Sequence, residues 1–435
     1  MREKERSPAR KVVKHVRYEL KNVRILDPVR RVDQVGSLFL EDGRMAAALS
    51  GEPDQAMDCA GLVAAPGLVD MHVHLRDPGQ THKEDLFTAC KAAAAGGVTS
   101  LLAMPNTAPP MDSPELVRDL LARAREADAT VYTAACVTRG MKGQELTDFA
   151  ALKAAGAIAL SDDGKPVGRS SCLLEALERA KELGLALTAH CEDLDLASGG
   201  LMNQGEVSRR LGLKGVPRAA EDCGVAREIA AAASLGARVH ICHVSTRGSV
   251  ALIREAKARG VAVTAETCPH YLLLTDQALE SMDADFRMNP PLGDEADRQA
   301  LLEGLADGTL DAISTDHAPH TPEEKADFIT APNGSIGMET SLAAVLTALT
   351  GRLDLGQIME KMSANPARIL NIPGGSLEPG APGDVVLFDP ARKWTVDPDK
   401  LHGRSKNTPF KGMELTGRVV MTFSRGRLVY RLDQN

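Results

Sequence analysis

An α/β protein is expected from this chain: a (β/α)8 TIM-type barrel with a small β-sandwich formed from both terminal segments. Three observations predict it. Eight short, apolar, β-branched runs recur through the middle of the chain, alanine-rich helical stretches separate them, and short alternating segments are confined to the two ends. Strands that alternate with helices imply a parallel sheet, because parallel strands need crossover connections. Eight such units over roughly 250 residues imply that the sheet closes into a barrel. A doubly wound open sheet is the rival, but no glycine-rich phosphate turn opens the first helix.

The eight runs cover 68–75, 98–104, 130–137, 157–163, 185–193, 238–245, 261–270 and 310–317, and helical stretches fall at 83–95, 114–127, 171–183, 219–235, 249–259 and 298–306. Glycines 96, 184, 236 and 260 stand beside helix ends, as C-terminal caps do. Alternating runs at 16–25, 37–41 and 44–49, with a turn at Glu41-Asp42-Gly43, have counterparts at 384–388, 418–424 and 427–431, where Arg425-Gly426 makes a hairpin turn. Neither set has enough strands to bury a face alone, so the two should join. The expected organisation is a disordered or extended tail over 1–15, a composite sandwich from 16–65 plus 376–435, and the barrel over 66–375.

Composition narrows the function. The 435 residues are 43% hydrophobic and 25% charged, as in folded soluble proteins, and the net charge of −8 gives no reason to bind nucleic acid or anionic lipid. No apolar stretch approaches the roughly 20 residues that span a bilayer. The eight cysteines are scattered singly, which suits reduced thiols in a cytoplasmic protein. With one tryptophan, four tyrosines and eight phenylalanines, the core must be aliphatic and alanine-rich.

The informative polar residues sit at the C-terminal ends of the expected strands, where such barrels build their sites. His72 and His74 close the first strand, Asp162 and Asp163 the fourth, His190 the fifth, His243 the sixth and Asp316 the eighth. Strand alternation would send His72, His74 and Arg76 to one side, into the barrel mouth. A lone strand-end histidine is usually structural, and a lone aspartate there is usually a helix cap. Several converging on one rim are costly to desolvate unless a divalent ion satisfies them together. Nitrogen and oxygen ligands without thiolate suit zinc, and less exclusively manganese, cobalt or iron. Four histidines and two aspartates exceed the needs of one zinc, so two ions about 3.5–4 Å apart are expected, sharing a carboxylate and activating a water near pH 7. Asp316 can bind one ion and relay the proton of that water.

The segments Asp70-Met-His-Val-His-Leu-Arg-Asp-Pro-Gly79, Met104-Pro-Asn-Thr107, Ser161-Asp-Asp-Gly164, Ala189-His-Cys-Glu192, His243-Val-Ser-Thr246, Met288-Asn-Pro-Pro-Leu292 and Thr315-Asp-His-Ala-Pro-His320 occur in this order. Together they resemble the motif series of bacterial class I dihydroorotases, in the amidohydrolase superfamily. The resemblance implies one metal on His72, His74 and Asp316, another on His190 and His243, and Asp163 bridging, with Asp162 in support. A carboxylated Lys165 as bridge is the minority alternative. It further implies that Arg76, Asn106 and His320 hold the carboxylate of dihydroorotate and that Asn289 faces its ring. The segment Ala331-Pro-Asn-Gly334 matches a substrate-contacting loop, which brings in Asn333 and Gly334, although related sequences often carry phenylalanine where Asn333 stands. The implied reaction is reversible hydrolysis of the ring amide to N-carbamoyl-L-aspartate, with Asp316 as general base then acid, run toward ring closure in pyrimidine biosynthesis.

A hydantoinase or allantoinase would share barrel and metals, but those families usually lack an arginine two residues after the second histidine. A non-catalytic scaffold for aspartate transcarbamoylase would have lost ligands that are all present here. The partners expected are a small-molecule substrate and further copies of the chain, such as a dimer; association with aspartate transcarbamoylase stays open.

Overall fold

The computed structural model describes residues 16–433, so the tail expected over 1–15 lies outside the described residues. Eight parallel strands pair in chain order: Leu68–Val73, Val98–Ala103, Thr130–Cys136, Ala159–Ser161, Ala186–Ala189, Val239–Ile241, Val263–Thr267 and Ala312–Ile313. Each matches one expected run but is shorter at its C-terminal end. There the backbone leaves the ladder so that polar side chains can face the mouth. The eighth strand meets the first through a parallel bridge from Val73 to His317 and a 2.8 Å hydrogen bond from His74 N to His317 O. These contacts close the barrel.

Local chemistry explains the helices. The helix Leu86–Ala95 starts at Asp85, whose carboxylate accepts from Phe87 N and Thr88 N at 2.9 Å each. That helix buries Ala89 and four consecutive alanines, Ala92 to Ala95, so it lies close against the sheet. At its end, a Cβ on Gly96 would stand 2.1 Å from Met338 O, and only glycine permits that approach. The helix Ser170–Leu183 ends on left-handed Gly184 and Ala219–Leu235 on left-handed Gly236, as their caps predict. Leucine, valine and alanine fill the space between strands and helices. The floor of the barrel is stopped by Ala367 and Leu370 of the helix Asn365–Leu370, against Val69, Met71 and Leu102.

The terminal segments make a second sheet of eight strands. Tyr18–Asp27, Val32–Glu41, Arg44–Ala46, Gln55–Asp58 and Val63–Pro66 come from the first part of the chain, and Val385–Thr395, Glu414–Ser424 and Arg427–Arg431 from the last. Two of these, Gln55–Asp58 and Val63–Pro66, were not anticipated. Val63–Pro66 is the seam, parallel to Tyr18–Asp27 and antiparallel to Val385–Thr395. The sheet curls on itself, bringing the Tyr18 and Phe423 rings to 4.9 Å although two strands lie between theirs in the sheet order. The two expected layers are thus one continuous sheet wrapped around a shared core of Leu20, Leu40, Leu387 and Phe423.

A buried carboxylate ties the ends together. Asp27 accepts from Val29 N and Arg30 N at 3.0 and 3.1 Å, and from Ser376 Oγ and Leu377 N at 2.9 and 2.8 Å. Asp27→Ala would leave buried donors unpaired and is expected to cost about 2–3 kcal/mol. The measurement is the midpoint of the earliest unfolding transition in urea, followed by circular dichroism. An unchanged midpoint would show that this joint contributes nothing.

Candidate metal centre and active site

The first and eighth strands are locked together just below the barrel mouth. Asp70, buried in the first strand, accepts from Thr315 N at 3.0 Å and Thr315 Oγ1 at 2.5 Å. Burial pushes its carboxyl up to about 7 against the pull of those hydrogen bonds. This lock sets His72 and His74 opposite Asp316. The strand ends at Val73, however, so alternation alone does not aim Arg76. Arg76, His243 and Asp316 all take left-handed backbone conformations, with φ of 57°, 36° and 48°. Such conformations are unfavourable for side-chain-bearing residues and gather at functional sites.

The six expected ligands converge around one carboxylate. His72 Nε2 stands 3.2 Å from Asp163 Oδ1, and His74 Nε2 stands 3.5 Å from Asp163 Oδ2. On the other side, His243 Nε2 and His190 Nδ1 lie 3.6 and 3.8 Å from Asp163 Oδ1 and 2.9 Å from each other. Asp316 Oδ1 is 3.0 Å from His74 Nε2 and 3.7 Å from His72 Nε2. Two groups with metal-holding spacing result, His72–His74–Asp163 and Asp163–His190–His243, with Asp163 common to both.

The donor set fits divalent cations. His72 Nε2 and Asp163 Oδ1 are buried without a hydrogen-bond partner, and buried polar atoms are rarely left so. Burial disfavours a charge on Asp163, but the imidazoles of His72, His243 and His74 overcome it and hold the carboxyl well below the carboxylate range. Asp316 is likewise pulled down to about 2, against burial, by its bond to His74 and the charge of His72. The neighbouring acid behaves differently. Asp162 turns away and accepts from Thr138 N at 3.1 and 3.2 Å and from the Thr138 hydroxyl, while the Lys165 side chain is exposed.

Arg76, Asn106, Asn289, His320, Asn333 and Gly334 line one open cleft of about 650 Å³ together with His74, Asp163, His190, His243 and Asp316. Asp77, the acid that a structural ion pair with Arg76 would use, is held by Arg123 through two contacts of 2.9 Å. Arg76 instead donates to Pro319 O at 3.1 Å and lies 3.2 Å from His320 Nε2. Burial and the charges of Arg76 and Lys83 push His320 down to about 3, so its ring is neutral at pH 7. Asn106 Oδ1 lies 2.8 Å from His74 Nδ1, so this amide also orients a candidate ligand.

Several polar residues at the site were not singled out from the sequence. Glu192 Oε2 receives Asn289 Nδ2 at 3.2 Å and lies 3.1 Å from His190 Nε2. Glu324 and Lys83 flank His320 Nδ1 at 3.1 and 3.5 Å. Glu266, on the seventh strand, lies behind His72. The available signal was a lone acid within an otherwise apolar run, Val263-Thr-Ala-Glu-Thr267. His240 reaches the same Glu266, with Nε2 3.3 Å from Oε2.

A parallel barrel whose mouth gathers imidazoles and carboxylates in two metal-holding groups defines a hydrolase of the amidohydrolase type. Residues 61–249 match the family model described as Dihydro-orotase-like. The dihydroorotase of Citrifermentans bemidjiense is 49% identical over 421 residues, and that of Syntrophus aciditrophicus 48% over 422, each match covering 95% of this chain and 99% of the relative. Among solved structures, the L-hydantoinase (dihydropyrimidinase) from Arthrobacter aurescens superposes with a TM-score of 0.86 at 25% identity, covering 96% of both chains. A dihydropyrimidinase from Brevibacillus agri gives 0.81 at 25% identity, with 95% of each covered. The chain belongs to the dihydroorotase family.

The two adjacent acids can be separated by experiment. Asp163→Asn is expected to lose most of the metal that co-purifies, and Asp162→Asn to keep it while melting earlier. Elemental analysis by mass spectrometry on both proteins reads this directly. Equal metal content in the two variants would contradict the assignment of Asp163.

Proposed function

We propose that this enzyme is a dihydroorotase that interconverts dihydroorotate and N-carbamoyl-L-aspartate through two zinc ions per subunit. The observation that carries the substrate class is Arg76. Its guanidinium opens onto the cleft of the ligand cluster, and the acid next to it in sequence, Asp77, is engaged by Arg123. A planar guanidinium favours two-point capture of a carboxylate.

His72, His74 and Asp316 would hold one ion, His190 and His243 the other, with Asp163 shared. When bound, the ions would polarise the ring amide carbonyl and lower the pKa of water. Every other role belongs to the chain. Arg76, Asn106 and neutral His320 grip the substrate carboxylate, and Asn289, braced by Glu192, faces the ring. The backbone at Asn333 and Gly334 forms the cleft wall beside His320, with Asn333 O 3.0 Å from His320 Nε2. Because that contact comes from the main chain, asparagine can replace a ring at this position. Asp316, ionised at neutral pH, accepts the proton of the attacking water and returns it to the departing ring nitrogen. In the opposite direction the same carboxylate assists ring closure, the biosynthetic direction.

The proposed organisation keeps 66–375 as the catalytic unit and 16–65 plus 376–435 as the composite sheet. No helix among the described residues is long and apolar enough to cross a membrane, and all eight cysteines are free, in keeping with a cytoplasmic enzyme. A homo-oligomer, and contact with aspartate transcarbamoylase, complete the proposal.

The likeness to hydantoinases favours a second reading, hydrolysis of a cyclic amide without the carboxylate. Turnover of dihydroorotate, hydantoin and dihydrouracil decides between them. Dihydroorotate should be preferred, and Arg76→Gln should lower its kcat/KM about 100-fold, the loss of a charged pair worth about 3 kcal/mol. Preference for hydantoin would reverse the assignment. Asp316→Asn should lower kcat about 10²–10⁴-fold in both directions. Near-normal turnover would dismiss the proton relay.

A further inference from the structure

The seventh strand supplies no candidate metal ligand, yet it carries a carboxylate directly behind one. Glu266 is completely buried and neither it nor Cys242 lines the cleft. One oxygen, Oε1, stands 3.4 Å from His72 Nδ1; the other, Oε2, stands 3.3 Å from His240 Nε2 and accepts from the Ser314 hydroxyl. His72 Nδ1, His240 Nε2 and Glu266 Oε1 are all buried without a well-formed hydrogen bond, so these contacts at ion-pair distance are what each has. This carboxylate is the charged acceptor facing His72 Nδ1, with the Cys242 sulfur close by, and His240 can keep Nε2–H toward it because its Nδ1 lies 2.9 Å from the Thr264 hydroxyl.

From this arrangement we infer that Glu266 is a positioning residue for the metal centre, acting through His72. Three donors from three other strands point at it: His72 on the first, His240 on the sixth and Ser314 beside the eighth. A proton held on His72 Nδ1 leaves a lone pair on Nε2, and Nε2 is the atom that faces Asp163 at 3.2 Å. Asn106 does the same for His74, with its amide oxygen 2.8 Å from Nδ1. The two histidines of the first motif are thus each fixed from behind, one by a neutral amide and one by a full charge. A ligand histidine held by a carboxylate is both oriented and made more basic. Ser314 Oγ also receives Met71 N at 3.3 Å, so Glu266 is linked to the backbone beside His72 as well as to its ring.

His72, Cys242 and Glu266 could in principle hold an ion of their own. The trio lies in packed core rather than against the cleft. Its assigned role is the support of His72, and the count of bound zinc tests that assignment.

This inference rests on the metal reading above, and its test is separable from the identity of the substrate. Metal-free enzyme is titrated with zinc in competition with a chromophoric chelator. Glu266→Gln should weaken one zinc equivalent about 10–100-fold. It should also lower kcat at limiting zinc, with recovery in excess zinc. If that variant does not fold, Glu266→Asp, which retains the charge but retracts it, is judged by the same affinities. Unchanged binding of both equivalents would overturn the inference whatever happens to the melting temperature, because a purely structural carboxylate would move only the latter. Loss of a third equivalent would also overturn it, by making the trio a site. A wild-type protein that binds no zinc defeats the metal reading itself, whereas two bound equivalents without turnover of dihydroorotate defeat only the substrate assignment.

Discussion

One carboxylate faces four imidazoles in a place that water barely reaches, and the barrel mouth is organised around that encounter. Asp163 has His72 and His74 on one side and His190 and His243 on the other, all within 4 Å. Left alone, such a cluster is expensive, because buried polar atoms without partners lose hydration and gain nothing. Divalent cations between those atoms would turn the expense into binding energy. The candidate ligands come from the ends of five different strands, so such a centre and the closed barrel would depend on each other.

The positions of these groups follow from joints outside the cluster. Asp70 pins the eighth strand to the first through Thr315, and His74 N to His317 O completes the ring. Left-handed backbones at Arg76, His243 and Asp316 turn those residues where extended strands could not. Three acids that do not line the cleft, Asp70, Asp162 and Glu266, face backbone or imidazole instead. Asp163 and Asp316 are held ionised inside the cluster, against burial, by the imidazoles around them. The composite sheet adds no group to the cleft but gathers both chain ends beside the barrel, with Asp27 as one seam.

Much of this was legible in the sequence. Strand–helix alternation revealed all eight barrel strands, because β-branched runs between alanine-rich helices have few other ways to pack. The candidate ligands were visible for the same reason, since each ends a run. What stayed hidden depends on three-dimensional neighbours. Glu266 reads as an isolated acid until the barrel sets His72, His240 and Ser314 against it. The aim of Arg76 depends on a backbone conformation that no alternation pattern encodes. The strand Val63–Pro66 was missed because it runs almost unbroken into Leu68–Val73, with only Gly67 between two sheets. Choosing Asp163 over Asp162 required the family pattern; in the fold it follows from Asp162 being taken by Thr138.

Everything proposed for this barrel mouth depends on cations shared through Asp163. Diffraction from zinc-loaded crystals on the two sides of the zinc absorption edge tests this directly. Two anomalous peaks flanking the Asp163 carboxylate are predicted, one beside His72 and His74 and one beside His190 and His243. A map with no peak there, or with metal at Asp162 or Lys165 instead, would contradict it.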